Sequence, residues 1–599
     1  MIRGAGVIVC AALIAVPVSA RAQSRVISPN NKHNLSTSGP GPVKATGETQ
    51  VCVFCHTPHN SNPAAPLWNQ SLSTGVTYQA YTSTTLQATV GLPTGSSKLC
   101  LSCHDGTVAI GSTIMQGLIA MQGVGAGGKL TGASVIGPNL TTSHPVSFSP
   151  VTRATLVNPP ANSPVKLDAN GQVQCRTCHD PHQMDVDTTT NKFLVMSNSA
   201  SGLCVVCHQQ LYWASNPSSH MTSTKSYAAA QGAHTGYSTV ATNGCESCHK
   251  PHNAAVAQRG LKALEEKTCG SGATQCHSSS GIGRNIEAEF AKAYQHPTYS
   301  VSPSVHDAAE SPTHPLYPLP ETSATTARHA ECPDCHNAHA SYAASASAPK
   351  GSGKVAGVWG INSAGGQVLP SGVPASVNEY EICYKCHADS KNLPQAAGGP
   401  YGPYPNRSIV QWNKRTEFDP ANVSYHPIAA ASKAAAAPSI LAPWTLTSII
   451  KCTDCHDNDT GPKAPTPGTG PSGPHGSSIK HLLVARYDAD TSSTTESAAT
   501  YALCYKCHNR TIVLSSTSFS GHNHAIGQRG SCSFCHDPHG VPQGNTTNNK
   551  FLINLDTRFL TPSGGILRID DLGGGSVRCY MVCHGENHNG RTCSKNSCG

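Results

Sequence analysis

The chain has 599 residues but little from which to build an ordinary core. Phe, Trp and Tyr together make 5%, charged residues 12%, and Gly and Pro number 55 and 43. A chain so composed, and rich also in Ser, Thr and Ala, cannot bury enough side-chain surface to offset its conformational entropy, which excludes a core built from side chains alone. Long apolar runs are missing as well. Residues 434–450 come nearest to a membrane span, and Pro438 and Pro443 interrupt them, so no transmembrane segment is expected. Methionine is scarce: beyond the first residue only Met115, Met121, Met184, Met196, Met221 and Met581 occur, at no repeating offset. Thioether ligands therefore have no patterned place, and methionine reads as filler.

Cysteine and histidine are abundant, at 27 and 31 residues. Ten times, two cysteines stand three residues apart with a histidine directly after the second. The sites are Cys52, Cys55 and His56; Cys100, Cys103 and His104; Cys175, Cys178 and His179; Cys204, Cys207 and His208; Cys245, Cys248 and His249. They continue with Cys332, Cys335 and His336; Cys383, Cys386 and His387; Cys452, Cys455 and His456; Cys504, Cys507 and His508; Cys532, Cys535 and His536. This spacing is the attachment signature of c-type haem: two thiols add to the porphyrin vinyls and the adjacent imidazole reaches the iron. Two sites are stretched. Cys579, Cys583 and His584 have three residues between the thiols, and Cys269, Cys276 and His277 have six. Extra residues can bulge away from the ring, so twelve haems c are expected, using 24 of the 27 cysteines. Cys10 lies in the N-terminal segment, and Cys593 with Cys598, lacking a following histidine, reads as a small disulfide. Zinc also takes Cys-x-x-Cys pairs but requires no histidine after each one, and thiol–disulfide exchange needs a single activated motif on a stable fold.

Twelve rigid macrocycles, about one per 48 residues, would supply the core that the composition lacks. The expected fold is mostly irregular with short α-helices, a multihaem cytochrome c array in which stacked haems form the core. Residues 1–22 read as a secretory signal: Arg3, an apolar run from Ala5 to Val18, and the small-residue site Ala20-Arg21-Ala22. Three haem-pair repeats are expected in 23–280 and three in 281–599. The formal charge of +8 includes Arg3 and Arg21, and haem propionates would turn the holoprotein acidic, so nucleic acid is not an expected partner.

The twelve sites alternate between two types. Type A carries a second histidine three residues after the first, as in His56 to His59, His179 to His182, His249 to His252, His336 to His339 and His536 to His539. Type B lacks it and usually follows Leu or Ile, as at Leu99-Cys100 and Ile382-Cys383. The order is A, B six times over, with Asp459 where the second histidine of the Cys452 site should stand. Residues 190–194 are echoed at 548–552, and Cys383 to His387 recurs from Cys504 to His508, which marks internal duplication. Each type A site is preceded by a histidine: His33; His144; His220 or His234; one of His296, His306, His314 and His329; His426; His522 or His524. With twelve proximal histidines, 19 remain as second ligands. One upstream and one +3 histidine meet each unit's own demand; in the fifth, His475 or His481 would substitute, and His588 is surplus. On a helix the +3 histidine lies one turn, about 5 Å, beyond the first, on the proximal side of its own haem and better placed to reach a neighbouring one. The expected second ligands are thus His33, His144 and His426 upstream and His59, His182, His252, His339 and His539 at +3. Bis-imidazole ligation favours low potentials.

The A–B pairs and the Cys175-to-His182 form of the type A site resemble the multihaem c-type cytochromes with doubled CXXCH motifs, abundant in bacteria that respire metals. The resemblance runs from about His33 to His584. It implies an exported electron carrier, in the periplasm or at the outer surface, without catalytic residues, whose partners are redox proteins or extracellular electron acceptors. Two alternatives belong to the same resemblance. One is a multihaem reductase with an open catalytic haem, although no motif here replaces its histidine with lysine. The other is a subunit of a conducting filament in which a histidine of one copy ligates a haem of the next. The chain departs from the pattern at Asp459 and at the two stretched motifs.

Overall fold

The structure is a computed structural model that describes residues 26–27, 30–63, 65–83, 86–210, 213, 218–227, 236–256, 258–270, 276–298, 330–372, 375–388, 407–488, 496–515, 522, 530–544, 546–594 and 597–598. The signal reading of residues 1–22, Cys10, His234, His306, His314, His329 and His524 lie outside the described residues.

The described chain is mostly irregular, with short helices and small sheets. The two longest helices, Gly95–His104 and Glu379–His387, each end on the histidine of a type B motif. Type A motifs make a single turn, as in Cys175–Cys178, Cys332–Cys335 and Cys532–Cys535. Each of these turns closes through the histidine N–H on the carbonyl of the first cysteine, and the histidine itself is already extended, with φ and ψ of −123° and 141° at His179. Proline two residues on, as at Pro181 and Pro538, lacks an N–H and biases its predecessor toward extended backbone. The helix stops at the motif with or without that proline, since Ala338 holds the position two residues after His336, and the +3 histidine does not continue it, contrary to the helical geometry expected from the spacing.

Most strands come in two-residue antiparallel pairs. The C-terminal segment is different: Arg568–Gly573, Ser576–Tyr580, Arg591–Ser594 and Ser597–Cys598 form a four-stranded antiparallel sheet. Gly573, Gly574 and Gly575, all with positive φ, turn its first hairpin, a conformation open to glycine at little steric cost. The last haem motif starts on this sheet, at Cys579, rather than on the short helix expected for a motif. Cys593 is disulfide-bonded and stands opposite Cys598 in the register.

Apolar clusters are small. Phe534, Leu555, Leu560 and Met581 form one, and Tyr380, Tyr384, Ala388, Phe418 and Ile428 another. The interior is instead a continuous cavity of about 5930 Å³, lined by the cysteines and histidines of all twelve motifs. Shared among twelve sites this is about 490 Å³ each. The thiols and imidazoles that would hold haem open onto this space. No helix among the described residues is long and apolar enough to cross a membrane.

With so much of the interior lined but unfilled by side chains, the protein made without haem attachment is expected to lose its compact form. Small-angle scattering and far-ultraviolet circular dichroism of the haem-free chain should show an expanded coil. A haem-free chain as compact as the holoprotein would mean that side chains alone hold the fold.

Candidate functional site

The motif turn fixes the first ring. The histidine N–H donates to the first cysteine's carbonyl at 2.8 Å for His56, 2.9 Å for His249 and 3.0 Å for His536. The stretched motif closes identically, His277 donating to Cys269 at 3.0 Å despite six residues between the thiols. Nδ1 then donates to a main-chain carbonyl downstream: His104 to Ser134 at 2.8 Å, His179 to Lys192 at 2.8 Å, His249 to Arg259 at 2.8 Å, His336 to Lys354 at 2.9 Å and His536 to Phe551 at 2.7 Å. A carbonyl only accepts, so the hydrogen sits on Nδ1 and the Nε2 lone pair is left for a metal.

A second imidazole faces nearly every such ring. Behind the type A motifs, ring centroids are 6.2 Å apart for His56 and His182, 6.1 Å for His179 and His252, 6.1 Å for His249 and His339, 6.0 Å for His336 and His475, and 6.2 Å for His456 and His539. Behind the type B motifs they are 6.2 Å apart for His104 and His33, His208 and His144, His277 and His220, and His387 and His296. His508 interacts with His426, and His536 faces His522 at 6.1 Å. One iron bound to two imidazole nitrogens at about 2 Å each would hold the centroids about 6 Å apart, so these pairs fit an axially ligated metal. The first five type A pairs are tilted by 8–33°, whereas the four type B pairs measured lie at 68–85°. His584 meets His588 at 5.4 Å, closer than the rest.

For the rings of the first five units the partners follow one rule. The upstream histidine faces the type B ring of its own unit, and the +3 histidine faces the type A ring of the preceding unit. The two facing histidines of a unit are also tied together. His33 donates Nδ1 to the carbonyl of Pro181, just before His182, at 3.1 Å; His220 to Ala338, before His339, at 3.1 Å; and His296 to Pro474, before His475, at 2.6 Å. His426 bonds Pro538, before His539, and the His144 main-chain N–H reaches Pro251, before His252, at 2.7 Å. A unit is thus completed by its successor rather than by its own +3 histidine, contrary to the expectation that each unit meets its own demand. Where Asp459 replaces that histidine, His475 faces His336, while His481 instead offers its carbonyl to His456. Asp459 is held by Lys292 at 2.8 Å. His59, the +3 histidine of the first unit, is exposed and lies outside the cavity. The residues that complete the remaining pairs, His220, His296, His475, His522 and His588, stood among sequence alternatives or surplus; spacing alone could not choose among them.

Consecutive motifs also meet at their thiols. Within units, Cys55 lies close enough to Cys103 to interact electrostatically, and likewise Cys178 and Cys207, Cys248 and Cys276, Cys335 and Cys383, Cys455 and Cys507, and Cys535 and Cys583. Between units, Cys100 lies beside Cys175, Cys204 beside Cys245, Cys269 beside Cys332, Cys383 beside Cys452 and Cys504 near Cys532. All twelve motifs therefore adjoin one another in chain order. Burial, and then the neighbouring imidazoles, push His475 down to about 3 and His252 and His339 to about 4, which keeps these three in the neutral form that binds metal.

A family model described as the doubled CXXCH motif matches residues 168–211, the segment that holds the motifs at Cys175 and Cys204. No curated protein matches the chain. The CXXCH motifs imply covalently bound haem c, which makes this a haem-binding protein.

Replacing Lys292 with methionine would leave Asp459 and Glu289, its partners at 2.8 and 2.7 Å, without their cation. Denaturant titration should show a loss of about 1–3 kcal/mol, with the haem content unchanged. An unaltered midpoint would show that this pairing contributes nothing to holding the fifth unit.

Proposed function

We propose that the protein is an exported multihaem c-type cytochrome that carries electrons along twelve closely spaced bis-histidine haems, in respiratory or extracellular electron transfer. The observation that carries this reading is the succession of facing imidazole pairs, each beside two motif thiols, in the order of the chain. Haem c supplies reversible one-electron chemistry at iron. The chain's own residues supply the rest. Paired thiols anchor each group, and adjoining motifs set the groups in series. Two imidazoles at each site leave no open coordination position, which speaks for carriage rather than for a reductase. Carbonyls on Nδ1 orient the rings and raise their basicity, and bis-imidazole ligation without methionine favours low potentials. The partners would be redox proteins or extracellular acceptors, reached from the ends of the series.

A subunit of a conducting filament is the second reading, favoured by His59. It occupies the +3 position from which its counterparts reach the preceding unit, yet it faces no ring among the described residues.

The assignment of +3 histidines to the preceding unit is tested with His339→Ala. With twelve haems still attached by intact mass, electron paramagnetic resonance should show one haem turned high-spin. Further replacement of Cys245 and Cys248 by alanine should abolish that signal. Abolition instead by replacing Cys332 and Cys335, or no high-spin signal at all, would overturn the assignment.

A further inference from the structure

The facing histidines differ in what holds Nδ1. His33, His220, His296 and His426 donate to main-chain carbonyls. Nδ1 of His252 and of His475 is buried without a hydrogen-bond partner. Two others bond carboxylates. His182 lies 3.1 Å from Asp180 Oδ1, but the ring is 56% and the carboxylate 27% exposed, so water screens the charge. His539 Nδ1 lies 3.2 Å from Oε2 of Glu417, a side chain only 4% exposed.

Glu417 is built into its place. It ends the short helix Lys414–Glu417, whose start is capped by the Asn413 side chain. Its main-chain carbonyl accepts from the Asn422 amide at 2.9 Å. Gly540, directly after His539, lies against that carbonyl so closely that a Cβ there would stand 2.0 Å from the oxygen. Phe418 packs edge-on against the His539 ring at 5.4 Å. Lys414 reaches the same oxygen, Oε2, at 2.6 Å. Burial alone would raise the Glu417 carboxyl, yet the Lys414 charge and the His539 hydrogen bond hold it below its usual value. A carboxylate that accepts from Nδ1 gives the imidazole imidazolate character and makes it a stronger donor through Nε2. Stronger donation favours the oxidised state of a bound iron. With Glu417 4% and the His539 ring 29% exposed, the effect is less screened than at Asp180.

We propose that Glu417, acting through His539, makes the site of Cys452, Cys455, His456 and His539 the one of lowest reduction potential in the series. The proposal rests on the haem-carrier reading above and deepens it. This site is the ninth in chain order. It separates eight sites on its N-terminal side from three on its C-terminal side, so the series acts as two electron reservoirs with a thermodynamic step between them. Glu417 touches no reacting atom; it is a positioning and tuning group.

The test is a stepwise redox titration of the full haem-loaded protein, followed by visible absorbance and low-temperature electron paramagnetic resonance. In Glu417→Gln the component reduced last, amounting to one haem in twelve, is expected to titrate at a higher potential while the rest overlay the parent. Glu417→Asp, which keeps the charge beside Lys414 but draws it off the ring, is expected to fall between the two and serves if the glutamine variant fails to load haem. Asp180→Asn is expected to leave the last component in place. A last component unmoved by the Glu417 variants, or moved as far by Asp180→Asn, would overturn the proposal. Failure of the carrier reading is seen separately, as a missing haem by intact mass or a high-spin signal in the parent protein.

Discussion

The arrangement that everything else serves is a pair of imidazole rings about 6 Å apart, centroid to centroid, beside two thiols and recurring along the chain. Such a pair does not hold itself together. Buried imidazoles without a shared metal gain little from facing each other, and burial drives them to the neutral state. The surrounding chain keeps them there by fixing Nδ1 on carbonyls, closing type A motifs such as those at Cys175 and Cys332 into one turn, and ending that turn in extended backbone so that the next histidine leaves in a new direction. The sparse composition is intelligible on these terms. A side-chain core would occupy the space that the motifs line, and glycine and proline serve the many changes of direction that the connections need.

The handing of the +3 histidine to the preceding unit gives the repeat its continuity. A unit that filled its own two positions could fold alone and sit anywhere relative to its neighbours. Here His182, His252, His339 and His539 each close a site one unit back, and the bond from an upstream histidine to the residue before them ties both facing rings into one local frame. Neighbouring units are thereby held in order, as in other repeats whose units cannot bury their own faces. The sixth unit, the last in this sequence, departs from the rule. His522 faces its type A ring, and its type B motif lies on strands, with His588 only four residues past His584.

Much of this is legible in the sequence. The motif spacing locates all the thiols and first rings, and the alternation of A and B gives the units. A +3 histidine cannot easily reach the far face of its own haem, which points to a neighbour, although the helix assumed in that geometry ends one residue too soon. The direction of the reach is not legible, because it depends on where the loop after each motif returns. The same holds for the choice of His220 and His475 over nearby alternatives: both lie in segments without periodicity, where only the folded path decides which ring arrives. The C-terminal sheet is announced by Gly573, Gly574 and Gly575 between alternating residues, a hairpin signal that the motif count overshadows. Glu417 leaves no trace at all, since it stands 122 residues from His539 in the chain.

The central claim is that each type A site of the first five units is closed by a histidine of the following unit. The most direct measurement is an electron cryomicroscopy map of the haem-loaded protein. The expected map has a macrocycle attached at Cys175 and Cys178 with His179 on one face and His252 on the other, and one at Cys245 and Cys248 between His249 and His339. Density placing His182 or His252 on the haem of its own motif would contradict the claim.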